Sequence, residues 1–328
     1  MMIALALLWL HPVRFKKTPL GGSARKKAYR GTVPVYGALP EDTGHPPPSP
    51  NDSSAGQSVP AVASRVGPPL AIGCFVAAGL ASTDLSVLAS NPLVRDSACS
   101  IVAVVGAVGW LKVWTSLAAS GAMDSRLSRK IIHCGSGPLF LLVWPLYSLE
   151  PNARLVAALV PALNMARLVA AGTKRDSSDI VTAVSRSGDA KEVLGGPLLY
   201  CAVLLAATLF GWRGSSAAVV AIAQMAIGDG VADIVGRRFG KRHKWPFAPS
   251  KSYAGSIAFA FAATLASFAL LRWFQIAGCL ALPFETTDLL ARLFLISVLC
   301  AFTELVPAAD DNISVPLVAA ILATTLLR

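Results

Sequence analysis

The sequence predicts an all-α fold: a polytopic transmembrane helical bundle of about eight or nine helices behind a disordered N-terminal extension. Three observations carry that expectation. Long apolar runs recur from about residue 68 to the C-terminus. Hydrophobic residues make up 54% of the chain against 14% charged, with a mean hydropathy of +0.60. The charges are gathered into short segments between the apolar runs. A soluble domain needs a far more polar surface. The runs also exceed the roughly 3–10 residues of a strand, which sets aside a soluble α/β enzyme. In lipid the backbone must satisfy its own hydrogen bonds, so such runs read as helices of roughly 20 residues.

Residues 1–66 stand apart. They are basic first, then rich in Pro, Ser and Gly, and PPPSPNDSSAG cannot pack a core. An acid-poor leader bearing Arg, Lys and Ser suits an organellar transit peptide followed by a linker. The apolar opening MMIALALLWL also suits a secretory signal core. The membrane domain is expected over 67–328.

Spans are expected near 69–90, 98–122, 131–149, 154–171, 193–211, 215–235, 253–272, 289–303 and 313–327. Asp84 and Lys112 interrupt the first two. A short apolar piece at 276–284 reads as re-entrant or interfacial. Pro138, Pro145, Pro161, Pro197 and Pro316 fall near span ends or kinks, where membrane helices tolerate them. Six scattered cysteines without a C-x-x-C pair read as small buried hydrophobes, against a zinc site or disulfide framework.

Four polar segments separate the later spans: 123–130, 172–192, 236–252 and 304–312. Two spans lie between each and the next, so all four are expected on one face of the membrane. Lys and Arg concentrate there, as the positive-inside rule requires. The net charge of +11 therefore reads as topology, and no aromatic or helical base-reading element accompanies it to suggest nucleic acid.

The third segment and the span before it carry most of the chemistry. In GDGVADIVGRRFG (228–240), Asp229 and Asp233 share a helix face and are candidate Mg²⁺ ligands, since this ion uses one or two carboxylates plus substrate phosphates. Gly228, Gly230, Gly236 and Gly240 admit either a phosphate or a neighbouring helix close to the backbone. A small-residue packing stripe with Asp–Arg pairing is the other reading of the same residues. Arg237, Arg238, Lys241, Arg242, Lys244 and Lys251 surround His243, enough positive charge to meet a nucleoside triphosphate or simply to set topology. Lys251 and Ser252 then run into a small-residue helix start with Gly255 and Ser256, where free N–H groups favour phosphate. No Walker loop is present.

The remaining candidates come from the other segments. Glu304, Asp310, Asp311 and Asn312 place acids on a basic face, for a second cation or for ion pairs with 236–252. Arg129 and Lys130 precede His133, which lies one turn inside a span. Arg186 and Asp189 belong to a charged cluster that reads equally as local ion pairing.

These segments together resemble the polyprenol kinase family, and most closely its plant and algal phytol kinases and the similar farnesol kinases. The resemblance rests on SRKIIH (128–133), WP (144–145), SRSGDAKEVLGGPLLY (185–200), GDGVADIVGRRFG (228–240), KSYAGS (251–256) and DDNISVPL (310–317), in order over about 91–328. It implies transfer of phosphate from CTP, with Mg²⁺, to the hydroxyl of a long isoprenoid alcohol such as phytol. It further implies a chloroplast membrane setting, with the endoplasmic reticulum as alternative, and a product feeding tocopherol synthesis. Ala254 replaces the acidic residue of dolichol kinases and favours the phytol and farnesol branch. On this reading Asp229 and Asp233 hold the metal and Lys251 steadies the transferring phosphoryl group. A lipid cytidylyltransferase and a transporter are the competing classes.

Overall fold

The computed structural model describes residues 91–174, 179–185, 187–306 and 310–328. The expected targeting segment and linker, the expected span at 69–90 and Arg186 lie outside them.

Several of the long helices begin where the sequence supplies a cap. Asn91 Oδ1 accepts from the N–H groups of Leu93 and Val94 to open α1 (Pro92–Ala119). Asp124 does the same for Arg126 and Leu127 at the start of α2 (Ser125–Val143). Such caps satisfy N–H groups that have no partner within the helix. A 3₁₀ turn (Trp144–Leu146) leads to α3 (Ala153–Lys174), then the short α4 (Asp179–Val184). Asp189 caps a 3₁₀ turn (Ala190–Leu194) that runs into α5 (Gly196–Ala206) and a π turn (Ala207–Gly211). Next come α6 (Ser216–Ala223), a second π turn (Gln224–Gly228) and α7 (Asp229–Phe239), which form one continuous rod. The last helices are α8 (Tyr253–Ile276), α9 (Thr286–Thr303) and α10 (Asp311–Leu326).

Six of these helical runs are long and apolar enough to cross a membrane: Pro92–Ala119, Ala153–Thr173, Ala190–Gly211, Ser216–Phe239, Tyr253–Ile276 and Thr286–Thr303. Two more of the expected spans are helical but depart from that description. α2 carries Arg126, Arg129 and Lys130 in its first turns, so the polar segment 123–130 is largely helix. α10 has 16 residues, about 24 Å at 1.5 Å per residue.

The α6–α7 rod is the axis of the bundle, 67% buried across its most apolar stretch, against 6–44% for the other five. Around it the core is closed by Trp144, Phe259, Phe274, Leu293 and Ile296, all fully buried. Close backbone approach makes this possible. A β-carbon on Gly255 of α8 would stand 2.9 Å from the Ala232 carbonyl oxygen of α7, and one on Gly236 would stand 2.9 Å from Ser252 Oγ. Gln224, at the start of the π turn, sits fully buried and donates to Ser267 and Ser297 of α8 and α9.

One element is not helical. Within 236–252 the chain forms a two-stranded antiparallel hairpin, β1 (Lys244–Trp245) with β2 (Ala248–Ser252). Trp245 stacks on Tyr253 and also meets Phe247 and Phe302, and that aromatic contact orders a stretch whose sequence reads as a basic loop. The apolar piece at 276–284 is no re-entrant helix. After Ile276 it turns and extends, and Leu280, Leu282 and Phe284 pack against the core.

Candidate active site

Segments far apart in sequence meet at one end of the bundle. Arg129 Nη1 donates to the Ser185 carbonyl oxygen at 3.0 Å, joining the first polar segment to the second. Lys130 Nζ lies 2.9 Å from Asp229 Oδ2, joining the first to the rod. Lys251 Nζ lies 3.1 Å from Glu304 Oε1 and 2.6 Å from Asp311 Oδ2, joining the third to the fourth. These contacts require the common face that counting spans leads one to expect.

Asp229 is the hub. It follows the π turn, whose extra residue per turn re-aims the side chains beyond it. Its carboxylate receives Lys130 on one side and His133 Nε2 at 3.1 Å on another. The same imidazole nitrogen lies 3.1 Å from the Met225 carbonyl oxygen, and the ring packs at 4.7 Å from that of Tyr200. Tyr200 Oη donates to the His133 carbonyl oxygen and accepts from Gly137 N. Tyr200 thus fixes the α2 backbone beneath His133, a role its place at the end of SRSGDAKEVLGGPLLY does not announce.

The acidic cluster is Asp229, Glu304 and Asp311, with one carboxylate oxygen from each lying within 4.8 Å of the others. The sequence pairs Asp229 with Asp233 as metal ligands; the structure groups Asp229 with acids from α10 and the end of α9 instead. Asp233 stands outside that trio, held by Arg237 Nη2 at 2.7 Å and more distantly by Lys130 at 3.8 Å. Glu304 is buried. Burial pushes its carboxyl up to about 8, the carboxylates of Asp229 and Asp311 add to that push, and the Lys251 ammonium opposes it. Burial alone would lower Lys251, but Glu304 and Asp311 outweigh it and hold the ammonium above its ordinary value. A positive charge therefore already occupies the space between two of the three acids.

The glycines make room for close packing. A β-carbon on Gly228 would meet the Phe259 ring, one on Gly230 would overlap Cys134 Sγ, and one on Gly240 would overlap Ser252. With Gly236 and Gly255 they form the small-residue packing stripe that the same residues also allow. Ser252 caps α8 by accepting from Gly255 N, and Ser256 accepts from Trp245 Nε1. Both hold the hairpin that delivers Lys251. Lys244 is half-buried at the head of β1. Asp310 caps α10 through Asn312 N and also accepts from Asn312 Nδ2. Asp189 accepts from Lys191 N. Asp310 and Asp189 thus hold local structure.

No protein-family model and no solved structure matches the chain. Curated proteins do. It is 40% identical over 236 residues to phytol kinase 1, chloroplastic, of Arabidopsis thaliana, covering 71% of this chain and 77% of that one. Against probable phytol kinase 1, chloroplastic, of Oryza sativa subsp. japonica it is 38% identical, covering 74% and 77%. Against farnesol kinase, chloroplastic, of Arabidopsis thaliana it is 36% identical, covering 70% and 75%. The chain belongs to the family of chloroplast phytol and farnesol kinases.

Proposed function

We propose that this protein transfers a phosphoryl group from CTP to the hydroxyl of phytol, as a multi-pass enzyme of a chloroplast membrane. Residues 1–66 act as its transit segment and linker, and its product serves tocopherol synthesis. The observation that carries the reading is the convergence of three carboxylates with Lys130, His133 and Lys251 where the polar segments meet.

The donor set fits a hard divalent cation. Three carboxylates from three helices offer oxygen ligands, the type that Mg²⁺ prefers, and the Lys251 ammonium already stands in as a cation between two of them. Asp229, Glu304 and Asp311 would hold the ion. Once bound, it would neutralise charge on the phosphate oxygens of the nucleotide.

The chain's own residues then supply position and field, which do most of the work in phosphoryl transfer. Lys251, freed from Glu304 and Asp311, carries its charge to the phosphates. Lys130 and His133 orient Asp229 from the α2 side. Arg237 and Lys244 offer further positive charge toward the aqueous side. The alcohol enters from the lipid with its hydroxyl toward the cluster and its chain between helices.

Farnesol is the second acceptor to consider, because farnesol kinase of Arabidopsis thaliana is among the relatives. Membranes carrying the protein, incubated with γ-labelled CTP and phytol, farnesol or phosphatidate, distinguish the readings. Label in phytyl phosphate is the expected result. Label in farnesyl phosphate alone reassigns the acceptor. Release of pyrophosphate with phosphatidate makes the enzyme a cytidylyltransferase, and no transfer to any alcohol refutes the kinase reading.

A further inference from the structure

The end of the bundle away from the carboxylates holds a feature that phosphoryl transfer does not use. α2 ends at Val143, so its far end lies about 20 Å along the helix from Lys130. There the connection before α3 and the one before α6 border an open cavity of about 290 Å³, lined by Leu149, Glu150, Pro151, Arg154, Trp212 and Arg213. Two arginines on this side depart from the concentration of basic residues at the opposite end.

Neither guanidinium meets a carboxylate among the described residues. Arg213 Nη1 donates to the Tyr147 carbonyl oxygen at 2.9 Å, and Arg154 Nη1 donates to that of Leu209 at 3.3 Å. These bonds tether one nitrogen of each fork and leave the other donors free for a ligand. Glu150 shares the lining but pairs with neither.

The wall between the arginines is strained into place. Trp212 has φ of 56°, a conformation that a bulky residue adopts only when its surroundings hold it there. Its ring is held 5.1 Å from that of Trp144 and 5.6 Å from that of Tyr147. That clamp sets the direction of Arg213, whose guanidinium lies 5.9 Å from the same indole. Beneath Arg154, an outward stripe runs down α3 through Leu155, Leu159 and Leu163, each about half exposed. The i, i+4, i+8 spacing puts all three on one face.

We propose that this cavity binds the headgroup of an anionic phospholipid in the leaflet opposite the candidate active site, with an acyl chain along the leucine stripe. The volume sits at the small end of ligand pockets, which run roughly 300–1,000 Å³. It suits a phosphate and its glycerol while the tails stay in the bilayer. Two guanidiniums supply the fork geometry that phosphate takes, and an indole beside them suits the membrane interface.

The test uses the full chain, delipidated in detergent and read by native mass spectrometry. The probes are phosphatidylglycerol, phosphatidylcholine and soluble glycerol phosphate. Phosphatidylglycerol is expected to be retained roughly 25-fold better than phosphatidylcholine, since each of the two basic groups near an anionic headgroup contributes about a factor of five. R154Q/R213Q is expected to bring the two lipids within about twofold. Arg154 is exposed, so R154Q alone carries the test if the double variant does not fold, with about a fivefold loss of preference. Equal retention of the two lipids by the unaltered protein, or a preference that R154Q leaves undiminished, would overturn the proposal. Displacement of the lipid by millimolar glycerol phosphate would overturn it too, by making the cavity a soluble-anion site.

Discussion

Lys130 on α2 and Asp229 at the start of α7 are 99 residues apart and 2.9 Å apart in space, each side chain about 15% exposed. The pair ties the first polar segment to the central rod. Removing one member strands a charge in a poorly hydrated place, which typically costs about 3–5 kcal/mol for a buried pair. Lys130→Met is therefore expected to lower the thermal midpoint clearly. Lys130→Met with Asp229→Asn should recover much of that stability while activity stays lost. A double-mutant cycle in detergent, with transfer assayed on the same samples, checks both halves.

The trio of acids makes a sharper distinction than the sequence could. Asp229→Asn, Glu304→Gln and Asp311→Asn are each expected to lower kcat by about 100-fold or more, as loss of a group that stabilises transition-state charge does. Asp233→Asn should cost less than about tenfold, because Asp233 is engaged by Arg237 rather than by the trio. If Asp233→Asn proves as damaging as Glu304→Gln, the metal belongs to Asp229 and Asp233 after all.

Glu304 sets a pH dependence. Its carboxyl is raised from an ordinary 4.5 to about 8, so a bound cation must displace a proton below that pH. Apparent cation affinity is expected to climb between pH 6 and 8, by about tenfold per unit for one proton displaced, and then to level off. For stability without the cation the sign reverses. A raised folded-state value gives a contribution that is full below 4.5 and lost as pH rises through about 8. Cation titrations at several pH values, followed by thermal shift, should show both trends, and Glu304→Gln should flatten them.

The glycine stripe has a purely steric signature. A methyl group at Gly255 would press on a backbone carbonyl oxygen of α7, whereas one at Gly106 would meet open space. Gly255→Ala is expected to destabilise by about 1–3 kcal/mol, and Gly106→Ala to leave stability unchanged or slightly raised. Midpoints of thermal unfolding for the two variants provide the comparison.

The helices were legible because their cause is local. Runs such as 253–272 and 289–303 must be helical in lipid, but the caps Asn91, Asp124 and Asp310 start their helices ahead of the apolar runs expected from 98, 131 and 313. The common face of the four polar segments was legible too, since an even number of crossings returns the chain to one side whatever the packing. The hairpin was not: it depends on Trp245 finding Tyr253 and Phe302, and only one of those rings is near it in sequence.

What the sequence determined by itself was which residues are apolar enough to span, which are charged, and on which side the charges emerge. Partner choice was decided only by the tertiary structure. Asp233 is the neighbour of Asp229 along one helix, yet Glu304 and Asp311 are its neighbours in space. The reason is physical: helix periodicity sets a face, but the packing of the rod's π turn against α9 and α10 sets what surrounds Asp229 just beyond it. Packing against α8 covers Gly228 and Gly236, and the hairpin puts Lys251 between two acids.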